Sequence, residues 1–136
     1  MKQLIYLALA IILGVLAIKL YTGHVSPSSG EDGWKTITPE AAKARIDSGD
    51  ALTILDVRTQ EEFDERHVPG ALCLPVENIT ADTAAAALPD KAAEILVYCR
   101  SGRRSAEAAK TLAALGYTAV ADFGGIIDWP YETVTE

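Results

Sequence analysis

The sequence predicts an α/β fold built on a mainly parallel sheet. Two continuous apolar runs, Leu52–Val57 and Ile95–Tyr98, have the character of strands covered on both faces. Helical stretches with recognisable start and stop residues alternate with such runs, and strands that alternate with helices build parallel units. Length sets the scale: 136 residues, 49% of them hydrophobic, can bury one core and are too few for two ordinary domains.

The elements follow in chain order. Trp34–Ile37 is a short strand candidate. Thr38, Pro39 and Glu40 open a helix as N-cap, first helical residue and first-turn acid, and Gly49 closes it. The strand Leu52–Val57 comes next. Thr59 and Glu62 form a capping box for a short helix that stops before Pro69-Gly70. Ala71–Leu74 is a brief strand ended by Pro75, and Ala81–Ala87 is an alanine-rich helix broken at Leu88-Pro89-Asp90. After the strand Ile95–Tyr98, a longer helix runs to Leu115 and is capped by Gly116. Its expected apolar side is Ala106, Ala109, Leu112, Ala113 and Leu115. Thr118–Ala121 is the last expected strand, followed by Gly124-Gly125 and a helical turn at Ile126–Trp129.

The N-terminal segment differs from the rest. Gln3 to Ile18 carries no charge, and with Leu20 and Tyr21 the apolar stretch could span roughly 27–30 Å as a helix, about a hydrocarbon core. The expectation is a transmembrane anchor over residues 1–21, a flexible linker over 22–33 and the domain proper over 34–136. A cleaved signal peptide and a buried core helix are the competing readings, and Lys19-Leu20-Tyr21-Thr22 offers no good small-residue cleavage pair. Export logic then places the chain at an inner membrane, through residues 3–21, with the domain facing the periplasm or exterior. The alternative is a soluble periplasmic form after signal cleavage.

The charge distribution points to one spot. Lys2 and Lys19 balance Glu31 and Asp32, so the whole net charge of −7 lies in residues 34–136. That acidity argues against nucleic acid as a partner. Against it, Arg100, Arg103 and Arg104 fall within five positions directly after Cys99. Cys99 ends an apolar strand and precedes a helix, and ligand sites in open α/β sheets lie at the carboxyl ends of strands. Loop N–H groups and a helix N-terminus favour thiolate over thiol, and the arginines would hold it and attract a small anion. Arginines at a helix N-terminus oppose the macrodipole, so a sequence selected for stability alone would not place them there.

These residues sit within a wider resemblance. Leu55-Asp56-Val57-Arg58-Thr59 continues through Glu61-Glu62-Phe63 to His67-Val68-Pro69-Gly70-Ala71. The loop Cys99-Arg100-Ser101-Gly102-Arg103-Arg104-Ser105 follows, and then Gly124-Gly125 with Trp129. In this order the segments resemble a single-domain rhodanese, most similar to the small periplasmic phage-shock type. The resemblance implies a central parallel sheet of about five strands with helices on both sides. It also implies a sulfurtransferase: Cys99 takes sulfur from thiosulfate as a persulfide and passes it to cyanide or a thiol, with a protein acceptor also open. The loop N–H groups of residues 100–105 would cradle the persulfide, and Arg100, Arg103 and Arg104 would bind the donor's sulfonate. No metal and no organic cofactor is implied. A binding or sulfur-relay module with little turnover is the alternative function, and a redox role for Cys99 a third.

Other residues read more simply. Phosphatases of related fold need an arginine where this chain has Ser105, which argues against phosphatase chemistry. Asp56 and Arg58 are expected in ion-pair or capping contacts near the site. Gly124 and Gly125 are expected to permit close backbone approach to the loop. His67 is expected to be a hydrogen-bonded structural histidine, Trp129 a core or pocket-wall aromatic, and Cys73 a packed core residue. A Cys73–Cys99 disulfide is open in an oxidising compartment.

Overall fold

A computed structural model describes residues 33–135. Five strands form one sheet: β1 (Trp34–Thr36), β2 (Leu52–Asp56), β3 (Leu72–Cys73), β4 (Glu94–Cys99) and β5 (Val120–Gly125). Their spatial order is β1-β5-β4-β2-β3, and every pairing is parallel. Four helices connect them: α1 (Pro39–Asp47), α2 (Gln60–Glu65), α3 (Ala81–Ala87) and α4 (Arg103–Ala114). Short 3₁₀ turns follow β3 and β5, at Val76–Asn78 and Ile126–Asp128.

The local signals explain the starts of the helices. Thr38 Oγ1 accepts from Ala41 N–H at the head of α1, with Pro39 at its first position. Reciprocal capping boxes open α2, through Thr59 and Glu62, and α3, through Thr80 and Thr83. Gly49 and Gly116 take positive φ at the ends of α1 and α4, where a left-handed residue closes a helix.

Alternation along the central strands makes two cores. Leu55, Val57, Ile95, Val97 and Cys99 share one face with Ala84 and Leu88 of the α3 region and Ala108 and Leu112 of α4. Ile54, Leu96 and Tyr98 point the other way, to Ala42 of α1, Val68, Phe123, Ile126 and Trp129. Cys99 therefore ends β4 on the face that α4 covers.

The structure amends several expectations. The last strand begins at Val120 and runs through the glycine pair to Gly125 instead of ending at Ala121. The buried side of α4 is Ser105, Ala108, Ala109 and Leu112, with Ala106, Ala113 and Leu115 only partly covered. Cys73 is half-buried rather than packed in the core, because β3 is a two-residue edge strand. Both cysteines are free.

The membrane reading is corrected, both as a transmembrane helix and as a placement at an inner membrane. Among the described residues no helix is long and apolar enough to cross a membrane. The longest, α4, has 12 residues and reaches about 18 Å against a hydrocarbon core of about 30 Å. Residues 3–21, on which that reading rested, lie outside the described residues, as does all but Gly33 of the linker expected at 22–33.

Candidate active site

The loop that follows β4 folds back on the sulfur. Gly102 takes φ +107°, a left-handed conformation suited to glycine, and its N–H donates to Cys99 Sγ at 3.0 Å. Ser105, in the first turn of α4, is fully buried with Oγ 3.5 Å from Sγ. Its hydroxyl also lies within reach of the Gly102 carbonyl at 3.0 Å and the Gly124 carbonyl at 3.3 Å. Close approach of β5 holds the loop from below: a Cβ on Gly125 would overlap the carbonyl of Arg100. β4 and β5 slip register at this point, between Val97 and Cys99, so that Cys99 pairs with Gly125.

The balance of forces on the thiol favours ionisation. Burial is the largest single influence and opposes charge, since Cys99 is 1% exposed. The Ser105 hydroxyl and the N–H groups of Ser105, Gly102 and Ser101 together outweigh it, and hold the thiol below its ordinary value. Cys73 shows the contrast: burial, reinforced by the Asp56 charge, pushes it up to about 11.

The three arginines of the loop part ways. Arg104 is bound by a two-pronged ion pair to Glu62, at 2.8 and 2.9 Å. Arg103 is exposed. Arg100 is exposed on the wall of a cavity of about 320 Å3, and Arg58 and Arg66 line it too. Glu62, Glu65, Ile126 and Ile127 complete the lining. Ser101 is exposed, and Cys99, which is buried, is not among the lining residues.

Asp56 and Arg58 leave β2 as a buried ion pair of 2.7 Å. Asp56 also accepts from Tyr98 Oη at 2.7 Å and from the Arg58 N–H at 2.9 Å, so its charge is fully satisfied. Arg58 Nη2 reaches the Arg66 carbonyl at 2.6 Å, and Tyr98 Oη accepts the Val68 N–H at 3.0 Å. The network thus fixes the segment 66–68 at the cavity. His67 is buried, stacked on Phe63 at 3.8 Å with Nδ1 2.8 Å from the Phe63 carbonyl. Trp129 packs on Phe123 in the second core and donates to the Glu132 carbonyl. Among the described residues no group of three or more His, Cys, Asp or Glu is placed to hold a metal ion.

Sequence reasoning did not find Arg66, Tyr98, Ile126 or Ile127 at the cavity or in its supporting network. Their proximity is tertiary, and neither spacing nor charge clustering marks them. Glu62 was visible as a capping residue, but its grip on Arg104, 42 positions away, left no local trace.

A protein-family model described as "Rhodanese-like domain" matches residues 38–130. Thiosulfate sulfurtransferase PspE of Escherichia coli (strain K12) is 39% identical over 74 residues, 54% of this chain and 70% of PspE. Two other curated relatives are longer, and the match spans 51% and 24% of their lengths. A solved structure of a rhodanese with anions from E. coli superposes with a TM-score of 0.59 at 36% identity, over 63% of this chain and all of that one. The Alr3790 protein from Anabaena sp. gives a TM-score of 0.67 at 29% identity, over 73% of this chain and 91% of that chain.

Proposed function

The chain belongs to the rhodanese-like domain family, and from that membership we propose that it is a sulfurtransferase whose sulfur carrier is Cys99. The observation that carries the reading is a buried cysteine at the head of α4, 3.5 Å from the Ser105 hydroxyl and 3.0 Å from the Gly102 N–H, which with the neighbouring loop N–H groups hold it below its ordinary pKa. The active unit in this reading is residues 34–136.

The donor is thiosulfate. The Cys99 thiolate attacks the outer sulfur, a Sγ–S bond forms, and the bond to the sulfonate sulfur breaks with its electron pair leaving on sulfite. The persulfide keeps one negative charge, and the N–H groups of Ser101, Gly102 and Ser105 are the donors available to it. Arg100, on the cavity wall, takes the sulfonate of the donor. Arg103 and Arg104 contribute positive potential, the latter from a position fixed by Glu62. A thiolate or cyanide then attacks the outer sulfur and returns Cys99 as thiolate. His67 has no part as a base, because the thiol is already acidified and the imidazole is engaged with Phe63.

Thiocyanate formation from thiosulfate and cyanide tests the scheme. It is expected in the parent protein and absent in Cys99→Ser, while intact mass should show one added sulfur atom after thiosulfate alone. Full activity in the variant overturns the assignment of Cys99. The burial of Cys99 favours one second reading, a relay module charged by a partner. An unmodified Cys99 after thiosulfate together with a persulfide after incubation with a protein persulfide donor would select it.

A further inference from the structure

β5 carries one residue more than its partner strand where it passes the Cys99 loop. From Val97 to Cys99 is two steps along β4, and the paired stretch from Asp122 to Gly125 is three along β5. The extra residue makes a β-bulge, a device that re-aims groups beside a site. Gly124 stands in it with φ +90°. From there it backs two separate contacts of the sulfur. Its carbonyl is 3.3 Å from Ser105 Oγ, and a Cβ on Gly102 would stand 3.6 Å from its Cα. Ser105 and Gly102 are the residues that hydrogen-bond Cys99 Sγ, through the hydroxyl at 3.5 Å and the N–H at 3.0 Å.

Asp122 holds the bulge. Its Oδ1 accepts the Gly124 N–H at 2.9 Å, a side chain turned back on the backbone two residues ahead. Asp122 pairs with Val97, so it faces as Val97 and Cys99 do, toward the core that α4 covers. It is 5% exposed and enters no ion pair among the described residues. A carboxyl group buried there costs stability unless its oxygens are used, and a valine would suit the strand better. The other buried aspartate, Asp56, is held by Arg58 and Tyr98. The side chain of Asp122 has the Gly124 N–H alone among the described residues.

Resting on the sulfurtransferase reading above, we propose that Asp122 is a positioning residue for Cys99, acting through the Gly124 bulge. Fixing the Gly124 N–H holds that residue at its positive φ. Its carbonyl then meets Ser105, and its Cα backs Gly102. Ser105 and Gly102 in turn keep their hydrogens within reach of the sulfur. Without the Asp122 acceptor the Gly124 N–H needs another partner, the bulge shifts to find one, and the loop loses its backing. Asp122 touches neither the sulfur nor the donor in this scheme. Its effect travels wholly through the backbone of β5.

Two substitutions separate position from charge. Asp122→Asn keeps the Oδ1 acceptor and carries no charge, whereas Asp122→Ala lacks both. Alkylation against pH is followed on the Cys99 peptide, with the full chain as the protein. The midpoint should rise by about one unit in Asp122→Ala, which is about tenfold less thiolate at a given pH below it. Asp122→Asn should keep the parent midpoint. The charged groups of the loop, Arg100, Arg103 and the Arg104–Glu62 pair, are the same in all three proteins. Cys73 is the internal control: unfolding would release its thiol, pushed up to about 11 by burial, whereas the expected change is confined to Cys99. An unmoved midpoint in Asp122→Ala overturns the inference. So does a fall in both variants, which would make the carboxyl a charge acting directly on the sulfur. Should Asp122→Ala not fold, hydrogen exchange decides. The Gly124 amide should be as protected as the strand amides of β5 in the parent and in Asp122→Asn, and rapid exchange of that amide in the parent overturns the assignment. Sulfite release from thiosulfate keeps the two questions apart: a parent inert to thiosulfate overturns the sulfurtransferase reading, while the alkylation midpoints still judge Asp122.

Discussion

Ser105 has one hydroxyl hydrogen and three neighbours that could use it. With Cys99 protonated, the thiol donates to Oγ and the hydroxyl donates onward to the Gly102 or Gly124 carbonyl. When the thiol ionises, the same hydrogen turns to the sulfur, so ionisation needs no movement of a heavy atom. Ser105→Ala removes that donor. The midpoint of Cys99 alkylation against pH should move upward, and the rate below the midpoint should fall. A stability loss of about 1–2 kcal/mol in urea should accompany it, since the hydroxyl is buried and fully engaged. An unmoved midpoint would mean that backbone N–H groups alone acidify the thiol. At this scale the sequence was legible where chemistry is local. The run from Cys99 to Ser105 announces itself because its members are contiguous, and the Asp56–Arg58 pair spans only two positions. Arg104 carried no sign that a partner from another element would occupy it.

Glu62 joins two elements. As the third residue of α2 it accepts from the Thr59 N–H at 2.9 Å, and with the same carboxylate it holds Arg104 in the first turn of α4. The pair offsets the unfavourable placement of a cation at that helix start. The Arg104 contact is the main reason the carboxyl is held at about 2, against its ordinary 4.5. The folded state therefore binds this proton less tightly than the unfolded one. The contribution is fully present above 4.5 and is lost as pH falls toward 2. Glu62→Gln should cost about 1 kcal/mol in urea at neutral pH, the value of a partly exposed pair, and the gap between variant and parent should narrow at about pH 3.

The contact of β5 with the loop sets a stricter limit. Gly125→Ala puts a methyl group into the Arg100 carbonyl, and overlap with backbone cannot be relieved by rotating a side chain. A loss of roughly 2–4 kcal/mol is expected. If the variant folds, Cys99 alkylation should lose its low midpoint as the loop lifts. The extent of β5 was illegible because Gly124-Gly125 reads as a turn in isolation and becomes strand only when β4 lies alongside. The capping box of Thr59 and Glu62, by contrast, lies within four consecutive residues, and α2 begins where those residues say.

Across the whole molecule the strand order puts β4 at the centre, paired on both sides and covered on both faces. β3, with two residues, lies at an edge. Hydrogen exchange should separate them: the amides of Ile95 to Tyr98 should exchange only through global unfolding, and those of Leu72 and Cys73 through local opening. Comparable rates in the two strands would contradict this layering. Fold class was legible from the apolar runs and the helices between them. Strand order was not, since β1 pairs with β5 from the opposite end of the domain and no local pattern records that. The half-burial of Cys73 is a consequence of that order, and so escaped notice with it. The expectation of a membrane helix rested on hydropathy outside the described residues, and none of the helices within them could reach across a bilayer.

The antiparallel bridge between His67 and Val134 has a practical consequence. Each residue's N–H donates to the other's carbonyl at 2.9 Å, one position from Arg66. The bridge therefore holds Val134 beside the cavity wall that Arg66 lines. A bulky label attached at Thr135, one residue past the bridge, would crowd the mouth. Labels and surface-immobilisation handles are better placed at the exposed Gly49 turn between α1 and β2, away from the loop and its cavity.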